Sequence, residues 1–334
     1  MSLRRAFRAV VWLLLFAAVG SAALVYALLT RPLALPASPW TFSVRPGSSL
    51  SAISRELADA GVLPHPAVLA IYGRVRGEDR AIKAGSYEIE QGIKLPALLA
   101  KLTQGDVTQT ALTIAEGSTF AELKQALRDN PQVAKTIVDL PDPELLARLG
   151  VTGTSAEGRF FPDTYFFAAN STDAALLKRA QRTLDERLAA AWARRAPDLP
   201  LASPYEVLIL ASIVEKETGR AADRPLIASV LINRLKKGMR LQADPTVIYG
   251  LGAKFDGNLR RRDLEADTPY NTYTRDGLPP TPIALPSQSS LDAATNPHAT
   301  PYLYFVARGD GTSEFSANLA DHNYAVSKYQ RGGK

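Results

Sequence analysis

Two carboxylates, Glu215 and Glu217, close an apolar run in which Leu208, Ile209, Leu210, Ala211, Ser212, Ile213 and Val214 precede them. An ionised carboxyl carried toward an apolar interior is costly unless it is paired or put to chemical use. The run reads as a helix. Ser203 can cap it, Pro204 suits the first helical position, and Glu206 completes a capping box. Gly219 offers a left-handed stop. At about 100° per residue, Leu210, Ile213, Val214 and Glu217 share one face, and Glu215 points nearly the opposite way. That phase predicts Glu217 at the edge of a core. The competing reading is a surface glutamate at a frayed helix end, and Glu215 is the other candidate acid.

Polar groups follow at intervals. Asn233 and Arg234 sit near the end of a second helix, expected over residues 223–237, with Asp223 as its cap and Gly238 closing it. Gln242, Asp244 and Tyr249 come next, then Tyr270-Asn271-Thr272-Tyr273 and Gly277-Leu278-Pro279-Pro280. Loops punctuated by Pro and Gly and bearing Asn, Gln, Tyr and Thr suit the hydroxyls and amides of a neutral polar ligand. Phosphate would call for Gly-rich turns with lysine. A sugar polymer fits this lining. Asn233, Arg234, Gln242, Asp244, Tyr249, Tyr270, Asn271, Thr272 and Tyr273 are the candidate substrate-binding residues, with loop structure as the competing role for each.

Composition removes several chemistries. The 334 residues include no cysteine and three histidines, His65, His298 and His322, so disulfides, thiolate catalysis and Cys-based zinc sites are excluded. No metal and no cofactor are expected. The net charge of +6 is spread along the chain apart from Arg194-Arg195 and Arg260-Arg261-Arg262. No module for nucleic acid is recognisable, and nucleic acid is not an expected partner.

The elements that must position these residues begin with an uncharged apolar segment at residues 10–29, long enough to cross a bilayer. Arg4, Arg5 and Arg8 precede it, which puts the N-terminus in the cytoplasm and the rest outside. A cleaved signal peptide is the alternative, with Ser21-Ala22-Ala23 as small residues, but the apolar run continues past them. Residues 30–40, with Pro32, Pro36 and Pro39, read as a spacer. A strand at Trp40–Val44, a Pro46-Gly47 turn and a helix from Leu50 to near Gly61 follow. This order resembles the opening of a LysM module, a small carbohydrate-binding unit. A strand near residues 84–89 and a helix at 95–102 complete an α+β module over 41–110. Aromatics crowd residues 155–167, either as core or as sugar-stacking surfaces, and residues 173–196 read as an amphipathic scaffold helix.

Several blocks then match one family in order. Residues 211–218, Ile232-Asn233-Arg234-Leu235, residues 241–250, Tyr270-Asn271-Thr272-Tyr273 and Gly277-Leu278-Pro279-Pro280 resemble the signature of the YceG-like family, the endolytic murein transglycosylases. Residues 302–307 and His322-Asn323 continue the likeness, which covers nearly the whole chain. Two positions depart from it. Ser313 stands where the family usually has His, and Thr281 stands where Gly usually follows the double proline.

The resemblance implies an α+β fold with a single transmembrane helix (10–29) after a short cytoplasmic end (1–9) and before a linker (30–40). It further implies a LysM-like module (41–110) and a mixed α+β catalytic domain (111–330) with the acid on a buried helix. It implies a plasma-membrane lyase that cuts the β-1,4 bond between N-acetylmuramic acid and N-acetylglucosamine in peptidoglycan glycan strands, beside the peptidoglycan synthases, with no cofactor. One carboxyl serves as acid and then base, and must be protonated near neutral pH, which favours Glu217 on its apolar face. Gln242 and Asn271 would meet N-acetyl groups, and Arg234 the lactyl or peptide carboxylates. A hydrolase pairing Glu217 with Asp244, Asp263 or Glu265 is the alternative enzyme. A non-catalytic glycan-binding scaffold is the alternative of another class.

Overall fold

The computed structural model of the protein describes residues 3–45, 47–106, 109–330 and 332. Pro46, half of the expected Pro-Gly turn, lies outside the described residues. The fold is mixed α+β, and the chain divides into two compact units. One takes the residues up to Thr110 together with Phe166–Asn170, and the other takes Ala111–Tyr165 with everything from Ser171.

The first unit starts with α1 (Leu3–Thr30), whose segment Val11–Thr30 is long and apolar enough to cross a membrane. The helix runs unbroken through Ser21-Ala22-Ala23. Strand β1 (Trp40–Val44) pairs antiparallel with β2 (Gly85–Ile89), Phe42 opposite Tyr87, and these two rings stack at 5.7 Å. Between them lie α2 (Leu50–Asp59) and α3 (Ala67–Val75), and α4 (Leu95–Gln104) follows β2. The Ser49 side chain caps α2 by accepting from the Ala52 amide. Leu50, Ile53 and Leu57 then recur at helical spacing and are buried with Leu69, Tyr87, Leu98 and Leu102. Each such leucine contributes about 1.5–3 kcal/mol of burial. Helix α3 is absent from the sequence reading because it is short and carries apolar residues on both its buried and its exposed face.

In the second unit β3 (Gln109–Thr113), α5 (Phe120–Asp129), β4 (Val133–Ala134), α6 (Asp142–Leu149), β5 (Thr164–Ala168) and β6 (Ser171–Thr172) lead to a helical assembly, the unit boundary falling inside β3 and β5. That assembly comprises α7 (Asp173–Ala193), α8 (Pro204–Glu217), α9 (Arg224–Lys236), α10 (Asp244–Leu251), the short α11 (Arg261–Glu265) and α12 (Gln288–Thr295). The hairpin β7 (Tyr304–Ala307) and β8 (Ser313–Ser316), Phe305 opposite Phe315, and α13 (Leu319–Gln330) end it.

Helix α8 lies at the centre of this core. Every residue from Val207 to Val214 is buried, so the helix has no solvent face along that stretch. The polar member of the run, Ser212, donates to the Ile209 carbonyl and accepts from the Ile283 amide at 3.0 Å, which pins the buried segment after Pro282 to α8.

Candidate active site

Helix α8 delivers its acids by the way it ends. Ser203 accepts from the Glu206 amide as expected, but the Glu206 carboxylate accepts from the Ala202 amide instead of closing a box on Ser203. At the other end Gly219 is not the left-handed stop that its position suggests. Thr218 turns extended (φ −151°, ψ 137°), and its hydroxyl accepts from the Arg220 amide at 3.0 Å. A side-chain turn thus ends the helix, and Gly219 does not adopt positive φ.

The two acids meet opposite surroundings. Glu215 is not turned to solvent: its side chain is 5 % exposed and pairs with Arg224, itself 9 % exposed, at 2.9 Å. Its second oxygen accepts from the Ser287 amide at 2.9 Å and from the hydroxyls of Ser287 and Ser290. Because Ser287 caps α12, this carboxylate ties α8 to α9 and α12. Helical phase pointed it away from the Glu217 face correctly, but that side of α8 is covered too.

Glu217 lies at the last turn on the wall of a cavity of about 490 Å³. No hydrogen-bond donor among the described residues reaches its carboxyl. Burial pushes its pKa up to about 8, the Asp244 carboxylate adds to the rise, and Arg234 opposes it. The group therefore holds its proton at neutral pH.

Of the sequence candidates, Arg234, Gln242, Asp244 and Tyr273 line the same cavity. Arg234 is buried where α9 ends, donating to the carbonyls of Leu303, Arg240 and Leu241 and to Gln242 Oε1 at 3.1 Å. Gln242 holds a left-handed φ of 51°, a costly conformation for a non-glycine residue, while its amide donates to the Thr272 carbonyl. Asp244 opens α10 and accepts from the Tyr273 hydroxyl at 2.5 Å. Burial, then Asp244, raises the Tyr273 pKa.

The other candidates lie off this cavity wall and are engaged with the chain itself. Asn233 donates to the carbonyls of Thr300 and Tyr302. Asn271 is fully buried, giving its amide to the carbonyls of Leu264 and Ala266 and accepting from the Tyr273 amide. Thr272 bonds Thr246 and the Ala243 amide. Tyr249 and Tyr270 meet edge to face at 4.9 Å, with hydroxyls on Glu157 and Thr281. Asp263 accepts from the Arg260 amide and Glu265 pairs with Arg261, both away from the cavity lining.

The C-terminal elements supply lining that the sequence reading did not assign. Phe305, Val306 and Ala307 of β7, Ser313 of β8, and His322, Val326 and Gln330 of α13 complete the wall. Ser313, the position where the family usually has His, thus faces the cavity. His322 stacks on Tyr304 at 5.1 Å, and Tyr304 lies under the Arg234 guanidinium at 5.1 Å. Burial, then Arg234, holds the His322 imidazole below its ordinary pKa. Sequence reasoning also missed a buried acid among the aromatics of residues 155–167. Glu157 accepts from the Phe120 amide and from Tyr249, and burial pushes its pKa up to about 7.

With this geometry in view, the profile of the YceG-like family matches residues 42–328. The chain belongs to the YceG-like family. The endolytic murein transglycosylase of Bacillus subtilis (strain 168) is 34 % identical over 305 residues, covering 85 % of this chain and 82 % of that protein. The endolytic murein transglycosylase of Streptococcus pneumoniae serotype 2 is 27 % identical over 86 % of this chain, which spans 58 % of that longer protein. A crystal structure of a YceG-like protein from Listeria monocytogenes, 30 % identical, superposes with a TM-score of 0.55 over 86 % of this chain and 98 % of that one. In this YceG-like chain the matched region contains the whole Glu217 cavity apart from Gln330.

Proposed function

We propose that the protein is an endolytic murein transglycosylase, a lyase that cuts the β-1,4 bond between N-acetylmuramic acid and N-acetylglucosamine within glycan strands. The observation that carries this reading is Glu217: a carboxyl that no donor among the described residues reaches, on a cavity wall, with its pKa pushed by burial to about 8. Family membership and the Bacillus and Streptococcus relatives support the substrate class.

Glu217 gives its proton to the bridging oxygen as the bond from that oxygen to the muramyl C1 breaks. The resulting carboxylate takes the proton of the muramyl 6-hydroxyl, whose oxygen closes on C1 to form the 1,6-anhydro ring. No water is consumed and Glu217 ends as it began. Asp244, which accepts from the Tyr273 hydroxyl, adds to the rise of the Glu217 pKa and so favours its protonated form. Arg234, Gln242 and Tyr273 are the substrate contacts in this reading. Asn233, Tyr249, Tyr270, Asn271 and Thr272 act as supports that shape the loops around them.

Helix α1 is the uncleaved anchor, its N-terminus cytoplasmic and the chain after it outside the plasma membrane. Residues 41–110, with strand, two helices and strand between Trp40 and Ile89, form a LysM-like module. The enzyme trims or ends nascent strands next to the synthases. Its test is the chemistry of the new ends made by the full-length protein on purified glycan strands. Anhydro-muramyl ends are expected. Reducing muramyl ends would replace the lyase with a hydrolase using Asp244 as its second carboxylate, and an absence of cleavage would favour a glycan-binding scaffold.

A further inference from the structure

Helix α3 buries Leu69 and Gly73 against the first unit's core, yet leaves Ile71 59 % and Val75 79 % exposed. At about 100° per residue, Val68, Ile71 and Val75 fall on one stripe. Two scattered apolar side chains on a surface would need no explanation. These two continue a stripe that starts on the anchor. Val68 and Pro64 line a cavity of about 310 Å³ whose facing wall is Leu24, Ala27 and Leu28 of α1. Leu29 also packs on the unit's core, and the Leu33 amide donates to the Ile93 carbonyl at 2.8 Å, so the unit is joined to the end of the apolar helix without slack.

This contact sets a depth. Leu24 precedes the helix end at Thr30 by six residues, about 9 Å at 1.5 Å per residue. Pro64 and Val68, which share a cavity with Leu24, Ala27 and Leu28, therefore reach below the end of the apolar span, to the boundary between headgroups and acyl chains. Pro64, at the α2–α3 turn, is exposed there. Arg74 on the flank of the stripe and Arg76 just beyond it are exposed and long enough to keep their charges in the headgroup layer. An apolar stripe flanked by arginine is the composition of a helix that lies in an interface.

We propose that α3 and the α2–α3 turn form a lipid-contacting surface, resting in the outer boundary of the leaflet where α1 ends. The occupant is lipid rather than another protein because the stripe's Val68 shares a cavity with a helix of membrane-spanning length. Covalent attachment through α1 already secures the chain, so the contact fixes how the first unit is oriented on the bilayer. This inference rests on the anchored reading of α1.

The absence of native cysteine makes single labelling sites available. The full-length protein carrying Leu14→Cys, Ile71→Cys or Ser51→Cys, each labelled with an environment-sensitive fluorophore, would be placed in lipid nanodiscs with nitroxide-bearing lipid. Position 14 reports the span, position 71 the stripe, and position 51, exposed at the start of α2, the water reference. The expected result is a blue-shifted emission quenched by the lipid nitroxide at 14 and 71, and neither effect at 51. Quenching at 14 with position 71 behaving like 51 overturns the proposal while the anchor stands. A blue shift at 71 without lipid quenching also overturns it, because a second protein surface then covers the stripe. If position 14 is unquenched, the anchored reading fails and the proposal with it.

Discussion

Opposite sides of one helical turn carry the same side chain into opposite fates. At Glu215, a guanidinium, two hydroxyls and an amide surround the carboxylate, and the charge is fully used in holding α8, α9 and α12 together. Two residues on, Glu217 faces a cavity with no donor among the described residues, with Asp244 as a like charge. Burial alone does not make a carboxyl reactive. What matters is whether the fold compensates the charged form, and here it compensates one acid and withholds compensation from its neighbour.

That contrast can be broken from either side. The largest expected effect is on turnover. Glu217→Gln takes away the proposed proton donor and should lower the release of anhydro-muramyl ends by about 10²–10⁴-fold, the usual worth of a positioned acid-base group. The same variant should keep its fold and become relatively more stable at high pH. A carboxyl whose pKa is raised from 4.5 to about 8 binds its proton more tightly folded than unfolded. Its contribution to stability is therefore full below pH 4.5 and is lost as the pH rises through about 8. Thermal unfolding should show the gap between Glu217→Gln and wild type moving in favour of the variant between pH 5 and 8.5. A gap that does not change would mean that the site leaves Glu217 ordinarily acidic.

Glu215→Ala should act on the other half of the comparison. Stranding Arg224 in the core costs about 3–5 kcal/mol of stability, as breaking a buried pair does, measurable by denaturant unfolding. Activity per folded molecule should stay close to wild type. A catalytic defect as large as that of Glu217→Gln, in protein that is still folded, would reverse the assignment of the two acids. The smallest effect is expected from Asp244→Asn. Asp244 is the secondary cause of the raised pKa, after burial, and the amide oxygen can still accept from Tyr273. The alkaline limb of the pH–rate profile should move to lower pH with only a modest loss at its maximum. A shift to higher pH would show that Asp244 does not act on Glu217 through its charge.

Much of this arrangement was legible along the chain because it depends on local periodicity. The apolar span of α1, the helix that starts at Leu50, and the extent of α8 and α9 follow from spacing that neighbouring residues enforce. Helix α12 was not legible: its Ser, Ala, Asp and Thr give little amphipathic pattern, and it is buried by the packing of α8 and α9 around it. The polar candidates show the same limit. Asn233 and Asn271 have the chemistry to bind an N-acetyl group, but the carbonyls they satisfy come from loops 5 to 69 residues away.

The sequence by itself determined that a glutamate would end an apolar helix, in which phase, behind what length of apolar N-terminal segment, and within which family. It could not decide which glutamate would be neutralised by partners. Arg224, Ser287 and Ser290 are brought to Glu215 from 9, 72 and 75 positions along the chain, and Asp244 is brought to Glu217 from the far side of α9. Helical phase is a property of adjacent residues, whereas a carboxyl's pKa is set by whatever charges and donors the packed chain gathers around it. Only the tertiary structure decides that.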